Sequence, residues 1–324
     1  MSDRVTIKRA LLLLLLPLVL PAGAARGAVY EYDGAHPPRY VAAAEAARYP
    51  VVLVLGSGGR RGFAHAGVLR VLEGADVKPD LIVGVSIGAV IGALYAGGMS
   101  AAEVERLALE IDLSSLSDFS WIRWGRVRGQ KLQDFVNTRV QQRPLEALGV
   151  RLAVVATREQ DGTLAIFNRG DTGAAVRASS AVPGRFYPVR IGGVNYVDGD
   201  VASPVPVRAA RALGAQVVIA VDISARPEKA PPGAPAEWLE RDRERRVQID
   251  AEASAADVLI HPDIGYYAGT SGSYRQRVIA AAAEATRAAL PRIISAVEKL
   301  RPTAAAPSAT AAIPPTSPAP PAAR

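Results

Sequence analysis

The chain has 324 residues, 49% of them hydrophobic, enough to bury a large core in one or two domains. It contains no cysteine, which excludes disulfides, thiolate metal sites and a cysteine nucleophile, and its three scattered histidines argue against a multi-histidine metal site. The net charge of +7 suits solubility or an anionic membrane surface, whereas the absence of a basic cluster interleaved with aromatics argues against nucleic acid.

The amino terminus is typical of a secretory signal sequence. Three basic residues precede the apolar run Ala10–Leu20, and Ala22-Gly23-Ala24 forms a small-residue cleavage site. The apolar run is short for a bilayer span and Pro17 interrupts it, so residues 1–24 predict a cleaved signal, with an uncleaved anchor as the alternative. In a bacterium, such a signal would send the protein across the inner membrane to the periplasm or cell envelope. Residues 25–50 form a short lead-in segment.

Residues 51–300 alternate strand-like and helix-like segments and predict one α/β domain. Continuous apolar strands between helices indicate a mostly parallel central sheet covered on both faces, a three-layer α/β/α sandwich. Ligands of such sheets collect beyond the carboxyl ends of the strands. The strand candidates are Val51–Leu55, Leu81–Val83, Arg151–Ala156, Leu164–Asn168, Asn195–Val197, Val217–Asp222 and Val258–Ile260.

A glycine-rich turn follows the first strand candidate. In the turn Gly56–Gly62, the backbone N–H groups of Gly58 and Gly59 can point at one oxygen because no side chain blocks the approach. A dinucleotide-binding loop is the alternative, since an acidic residue lies about twenty positions further on. A Walker phosphate loop is excluded because Gly62 is followed by Phe63 rather than Lys.

A second glycine turn, Gly84-Val85-Ser86-Ile87-Gly88, lies between a strand candidate and the predicted helix Ala89–Ala96. A G-x-S-x-G sequence in this context places its serine on a tight, strained turn. Gly84 and Gly88 lack the Cβ atoms that would collide there. The Ser86 hydroxyl would lie at a helix N-terminus, where N–H groups and the helix dipole favour developing negative charge, so Ser86 is a candidate nucleophile.

A partner for this serine is harder to find from residue types alone. Asp198-Gly199 follows the strand-like Val194–Val197, so the carboxylate could lie at another strand end. Taken alone, an Asp-Gly pair is more often a plain turn.

Taken together, the two glycine turns and Asp198-Gly199 resemble the patatin-like phospholipase family, specifically its bacterial members. Ala178–Pro183 and Asp198–Asp222 also match, so the resemblance spans about Val51 to Leu290. It implies a patatin-like fold and hydrolysis of lipid esters such as phospholipids or lysophospholipids, with no metal or organic cofactor. A transient contact with the membrane surface would accompany such a substrate.

The resemblance also implies roles for individual residues. Ser86 would be the nucleophile, Asp198 would accept its proton in a Ser–Asp dyad, and Gly58 and Gly59 would form the oxyanion hole. Arg61 matches the arginine of the glycine motif, where it would position the loop or an anionic group, unless it forms only a structural ion pair.

One departure from the family pattern concerns the residue after Asp198-Gly199. The family has Gly or Ala there, whereas this chain has Asp200. An exposed aspartate is a poor base with a pKa of about 3.9, so we hypothesise that burial and the second carboxylate raise the pKa of Asp198.

Two histidines are further candidates. His261 follows Ser86 and Asp198 in the chain order of an α/β-hydrolase triad, although it would equally end the strand Val258–Ile260. His65 follows the oxyanion turn and is expected to order it by hydrogen bonding.

Four remaining segments are peripheral to these motifs. Ser114–Arg128, with three large aromatic residues, is either a cap over an apolar substrate or a cluster packed on the core. Arg226–Arg246 is a surface excursion ending in an exposed helix, and Tyr274–Leu300 is a long helix with a candidate break at Pro291. Residues 301–324 are an Ala/Pro-rich tail without enough apolar bulk to fold.

Two other functions remain open at this point. One is an esterase or thioesterase that acts on non-membrane esters with the same residues. The other is a lipid-binding envelope protein without turnover.

Overall fold

The computed structural model describes residues 29–42, 48–116 and 127–300. Their strands are β1 (Tyr30–Glu31), β2 (Tyr49–Leu55), β3 (Leu81–Val85), β4 (Arg151–Arg158), β5 (Leu164–Phe167), β6 (Val189–Ile191), β7 (Val194–Asp198), β8 (Ala215–Val221) and β9 (Val258–Ile260). Their helices are α1 (Ala64–Gly74), α2 (Ile87–Ala96), α3 (Ala101–Glu110), α4 (Gln130–Arg139), α5 (Thr172–Ser179), α6 (Val207–Ala212), α7 (Ala236–Ala253) and α8 (Gly272–Glu298). Short 3-10 turns include Gly59–Phe63, Leu113–Leu116 and Gly199–Val201.

The strands form one sheet in the order β1-β6-β7-β4-β3-β2-β8-β9, with β5 paired to β4 outside this path. The central strands β4, β3, β2, β8 and β9 are parallel, which confirms the predicted, mostly parallel sheet. All seven predicted strands are present. The strands β1 and β6 were not predicted, because two or three residues carry too little pattern to be recognised before their partners are known.

Both faces of the sheet are covered. In β2, Leu53 and Leu55 pack into a cluster with α1, α2 and α8, whereas Val52 and Val54 pack into a second cluster with α6 and Ile249 of α7. Alternate side chains of a strand point to opposite faces, so a strand buried on both sides needs a continuous apolar sequence. This is why the runs that predicted the central strands do not alternate with polar residues.

The long carboxy-terminal helix α8 continues through Pro291, so the expected break is absent. Pro291 is exposed, whereas Ala289 and Ile293 on either side are buried. We attribute the continuity to this packing, which holds both halves of the helix in line despite the lost hydrogen bond.

Several predicted segments lie wholly or partly outside the described residues: the signal sequence 1–24, parts of the lead-in segment 25–50, the aromatic stretch 117–126 and the tail 301–324. Within the described ranges, no helix is long and apolar enough to cross a membrane.

Candidate active site

Ser86 lies on a strained turn between β3 and α2. Its φ of 54° and ψ of −122° fall in a region that side-chain-bearing residues rarely adopt. The turn needs glycine at Gly88, because a Cβ there would collide with the carbonyl oxygen of Leu55. At Gly84 a Cβ would lie 2.7 Å from the Cα of Ala89. The predicted strand–turn–helix geometry is therefore present, with the Ser86 hydroxyl at the start of α2.

The structure brings Ser86 and Asp198 together. The Ser86 hydroxyl donates a hydrogen bond of 2.7 Å to Oδ2 of Asp198, and the two residues are only 7% and 2% exposed. They are 112 positions apart in the chain. Asp198 ends β7, which runs antiparallel to β4 and pairs with the part of β4 that extends beyond β3. The acid thus reaches the serine from the opposite direction to the parallel strands.

Neighbouring polar side chains hold both residues in place. The Ser86 backbone N–H donates to Oγ of Ser179 at 2.8 Å, and Ser179 donates to the Val155 carbonyl at 2.5 Å. Thr157 donates to the Asp198 carbonyl at 2.8 Å. Neither anchor was identified as a site residue from the sequence, although Ser179 lies in the matched stretch Ala178–Pro183. Their roles depend on contacts between elements that are distant in the chain.

Asp198 has an unusual ionisation. Its pKa is raised to about 7, first by burial and second by the negative charge of Asp200, which confirms the direction expected from the sequence. Hydrogen bonds from the Asp200 N–H and the Ser86 hydroxyl, and the charge of Arg245, act in the opposite direction. A carboxyl group with a pKa close to neutrality is well suited to accept and return a proton.

The glycine loop after β2 faces the same space. Gly58 leads into the 3-10 turn Gly59–Phe63, and Gly59 has a φ of 55°. Among the hydrogen bonds of the described residues, none uses the amide N–H of Gly58 or Gly59. Both glycines line one cavity with Ser86 and Asp198, so their amides are available to a ligand there. A Cβ on Gly199, next to Asp198, would collide with the Val155 carbonyl, so packing requires glycine at this position.

Arg61 and His65 hold the glycine loop. The Arg61 guanidinium donates to the carbonyl of Tyr266, and Arg61 forms no salt bridge with another described residue. Burial lowers its pKa. His65 is fully buried with its pKa lowered to about 4 by burial, so it is neutral and its Nε2–H donates to the Gly56 carbonyl at 2.9 Å. The expected ordering of this turn by His65 is confirmed.

His261 does not join Ser86 and Asp198 in a triad. Its Nδ1 lies 2.7 Å from Oδ2 of Asp222, a buried carboxylate whose pKa lies below its usual range because His261 and Arg246 offset its burial. His261 follows β9, three strands across from β3 through β2 and β8. At about 4.8 Å per strand, that separation is about 14 Å. The structure therefore leaves Asp198 as the direct partner of Ser86.

The cavity above Ser86 has a volume of about 870 Å³, within the usual range for small-molecule sites. One side is apolar and is formed mainly by α2, α3 and α4. The other side is polar and is formed by the loop after β2, by Asp200 and by α7. The apolar side comprises Ile87, Val90, Ile91, Leu94, Val104, Leu107, Ile111, Leu113, Leu116 and Phe135, and the polar side includes Arg60, Arg61, Asp200, Arg241, Asp242, Glu244, Arg245 and Gln248.

No group of His, Asp or Glu side chains suited to hold a metal ion occurs within residues 29–42, 48–116 and 127–300.

Two known proteins are similar to part of this chain in sequence. An uncharacterised NTE family protein of Mycobacterium tuberculosis is 35% identical over 197 residues, which cover 59% of this chain and 55% of the relative. Patatin-like phospholipase domain-containing protein 6 of Homo sapiens is 33% identical over 186 residues, which cover 55% of this chain and 14% of that protein. The chain thus spans about half the length of the mycobacterial relative and a smaller part of the human one.

The fold is also found in a solved structure. VipD from Legionella pneumophila superimposes with a TM-score of 0.54 over 77% of this chain and 66% of VipD, at 13% sequence identity, a likeness that concerns the fold alone. The pattern of the patatin-like phospholipase family matches residues 53–211, which include Ser86, Asp198 and the glycine loop. The segment of the chain that carries the candidate site therefore belongs to the patatin-like phospholipase family.

Proposed function

We propose that this protein is a serine acyl hydrolase that cleaves lipid esters through Ser86 and Asp198. The observation that carries the proposal is the 2.7 Å hydrogen bond from the Ser86 hydroxyl to the Asp198 carboxyl, at a cavity with one apolar and one polar side. A nucleophile, a proton acceptor and free amide donors are the groups that acyl transfer requires.

The reaction would proceed in two halves. Ser86 Oγ attacks the ester carbonyl carbon while its proton passes to Asp198, and the oxyanion accepts hydrogen bonds from the N–H groups of Gly58 and Gly59. The C–O bond to the alcohol breaks, and Asp198 returns the proton to the leaving oxygen. Asp198 then takes a proton from water as the hydroxyl oxygen attacks the acyl-enzyme. Collapse of the second intermediate releases the fatty acid and restores the Ser86 hydroxyl.

The two sides of the cavity support an amphiphilic substrate. The apolar side includes Ile87, which follows the nucleophile in the chain, as well as Leu107 and Phe135, and would take the acyl chain by the hydrophobic effect. The polar side would face the alcohol part of the ester. Phospholipids and lysophospholipids have this division between an acyl chain and a polar head.

The function is tested by incubating phospholipid and lysophospholipid vesicles with the protein and measuring fatty acid release by mass spectrometry, with Ser86→Ala protein as the control. We expect release only with the wild-type chain. Hydrolysis of short nitrophenyl esters without release from vesicles would instead favour an esterase or thioesterase acting on non-membrane esters. Vesicle binding without turnover or fluorophosphonate labelling would favour a lipid-binding protein.

Filling the apolar side should shorten the acyl chains that are accepted. We expect Leu107→Trp to lower kcat/KM for long-chain esters about tenfold or more while changing hydrolysis of acetyl and butyryl esters little, because the added volume takes up space on the apolar side, on α3 rather than on the turn that carries Ser86. Kinetics on a series of nitrophenyl esters of increasing chain length measure this.

Leu109→Trp is the matched control for this substitution. Leu109 is on the same helix and equally half-buried, but lines a smaller cavity against α1 and α8 instead. Equal chain-length profiles of the two variants would contradict an acyl site along α3.

We also propose that the surface next to the polar side of the cavity contacts the membrane. Trp238 and Tyr267 are 40% and 50% exposed, and their rings meet edge to face at 6.4 Å. Arg241, which lines the cavity, lies over the Trp238 ring at 5.9 Å. Aromatic side chains with a polar atom, flanked by arginine, are well suited to the lipid headgroup layer.

Trp238→Ala is expected to weaken sedimentation with anionic vesicles several-fold without lowering turnover of a short nitrophenyl ester. The control is Ile294→Ala, which removes an equally exposed apolar side chain from α8. Unchanged sedimentation of the Trp238 variant would reject this contact.

From the amino-terminal sequence we also propose that the protein is secreted to the periplasm or cell envelope.

A further inference from the structure

Arg245, on α7, connects two loops of the site without being part of the dyad. Its guanidinium donates to Oδ1 of Asp200 through Nη2 at 2.6 Å and through Nε at 3.0 Å. The same Nη2 lies 2.6 Å from Oγ of Ser57 and 3.3 Å from the Ser57 carbonyl oxygen. The Ser57 hydroxyl in turn donates to Asp200. Arg245 and Ser57, which are distant in the chain, thus share one carboxylate oxygen of Asp200.

Each end of this bridge is next to a group that the proposed reaction uses. Ser57 directly precedes Gly58 and Gly59, which line the cavity. On the other side, the Asp200 N–H donates to Oδ1 of Asp198 at 2.8 Å, so that Oδ2 is left to accept from Ser86. Movement of Arg245 would therefore disturb the proton acceptor and the amide donors at the same time.

The bridge also determines the charge around Asp198. The charged groups that act on its carboxyl are Asp200, which raises its pKa, and Arg245, which lowers it. The hydroxyl of Ser86 donates to this carboxyl, whereas the hydroxyls of Thr157 on β4 and Ser179 on α5 contact the Asp198 backbone carbonyl and the Ser86 amide; none of the three carries a charge. Asp200 and Arg245 form a salt bridge of 2.6 Å, so each balances the effect of the other on Asp198.

We propose that Arg245 is a positioning residue of this site, and that it holds the loop of Asp198 and the loop of Gly58 and Gly59 in register through Asp200 and Ser57. The proposal rests on the proposed function, because it assigns Arg245 a task in that reaction. A guanidinium is suited to this task because its planar set of donors reaches two acceptors at once, which an ammonium group on a flexible chain does less well.

The neighbouring residue provides a matched control. Arg246 is on the same helix, and its side chain is 17% exposed, as is that of Arg245. It pairs with Asp222 at 2.6 Å, which is itself bonded to His261 rather than to the dyad. Arg246→Met therefore removes a comparable attachment of α7 without removing a contact to Asp200 or Ser57.

The experiment measures the rate at which a fluorophosphonate labels Ser86, as a function of pH, in wild-type, Arg245→Met, Arg245→Lys, Arg246→Met and Asp200→Asn proteins. Labelling needs the nucleophile, its proton acceptor and the amide donors, but no lipid. Thermal unfolding of each variant shows how far the loss of either arginine weakens the fold.

We expect Arg245→Met to lower the plateau labelling rate about tenfold or more and to move the acidic limb to higher pH by about one unit, because the charge of Asp200 is left unbalanced. Asp200→Asn should move the limb to lower pH. Arg245→Lys should leave the acidic limb at its wild-type pH, because the positive charge is kept. Its labelling should nevertheless be slower, because the planar guanidinium that bonds Asp200 and Ser57 together is lost. Arg246→Met should leave the limb in place.

Equal pH profiles of labelling for Arg245→Met and Arg246→Met would overturn the positioning role. A wild-type labelling rate for Arg245→Lys would also overturn it, and this variant decides the question if Arg245→Met does not fold. Both results leave the proposed function standing, because the wild-type chain is still labelled. A wild-type chain that is not labelled at any pH would overturn the proposed function and, with it, the role of Arg245.

Discussion

Ser86→Ala protein should fold normally and lose ester hydrolysis by a factor of roughly 10⁴ or more, together with all labelling by fluorophosphonates. The hydroxyl of Ser86 is the group that would form the acyl bond, and no other hydroxyl of the described residues donates to the Asp198 carboxyl. Water attacking directly, with only the glycine amides to stabilise the oxyanion, would account for the remaining activity. Fatty acid release and gel-based labelling measure the two losses.

Ser180→Ala is the control for this substitution. Ser180 is a buried serine at the end of α5, and its hydroxyl has no hydrogen-bond partner among the described residues. Its removal should change neither stability nor activity appreciably. Full esterase activity in the Ser86→Ala protein would rule out the proposed mechanism, whichever ester is the substrate.

Asp198→Asn protein should lose activity to a similar degree and become more stable than the wild type above pH 7. The pKa of Asp198 is raised in the folded chain from 3.8 to about 7, so the folded state retains a proton that the unfolded state releases. Stability therefore falls as the pH rises from about 4 through 7. At about 1.4 kcal/mol per pKa unit, the loss approaches about 4 kcal/mol at pH 8. An asparagine does not ionise, so the variant does not undergo this loss of stability.

Urea unfolding at pH 5 and pH 8 measures this difference. At pH 5 about 1.6 kcal/mol of this loss is already present, because the unfolded carboxyl has ionised while the folded one keeps its proton. The stability advantage of the asparagine variant should therefore be larger at pH 8 than at pH 5. Equal stabilities at pH 8, with activity lost, would show that Asp198 ionises without cost to the fold. Such a trade of stability for activity is common where a site needs a strained or buried polar group.

The same carboxyl leads to a pH dependence of the wild-type activity. The reaction needs Asp198 in its ionised form, so the rate should fall as the pH drops through about 7. The charge of Asp200 helps to raise the pKa of Asp198, so Asp200→Asn is expected to extend activity towards lower pH.

Local sequence was sufficient for the parts of the site that are made by consecutive residues. Ser86 and its two glycines form one turn, and steric exclusion at Gly88 operates over a few positions. The Gly58–Gly59 loop is similarly local. The central strands were recognisable because burial on both faces requires a continuous run of apolar residues, as in Val51–Leu55.

Contacts between distant segments were not recognisable in this way. His261 has the chain order of a triad member, yet it pairs with Asp222, because β9 lies at the far side of β8 and β2. Ser179 and Arg245 carry no local signature, since many serines and arginines in the chain have similar neighbours. Only their partners, Ser86 and Asp200, distinguish them.

The sequence by itself determined the identity of the nucleophile turn, the amide loop and the strands of the central sheet, because each depends on residues that are adjacent in the chain. The tertiary structure decided which acid meets the serine and what surrounds it. β7 enters the sheet antiparallel to β4 and ends at the level of Ser86. Asp198, 112 positions further along the chain, therefore lies within hydrogen-bonding distance of Ser86. Burial there, with Asp200 beside it, is what raises its pKa towards neutrality.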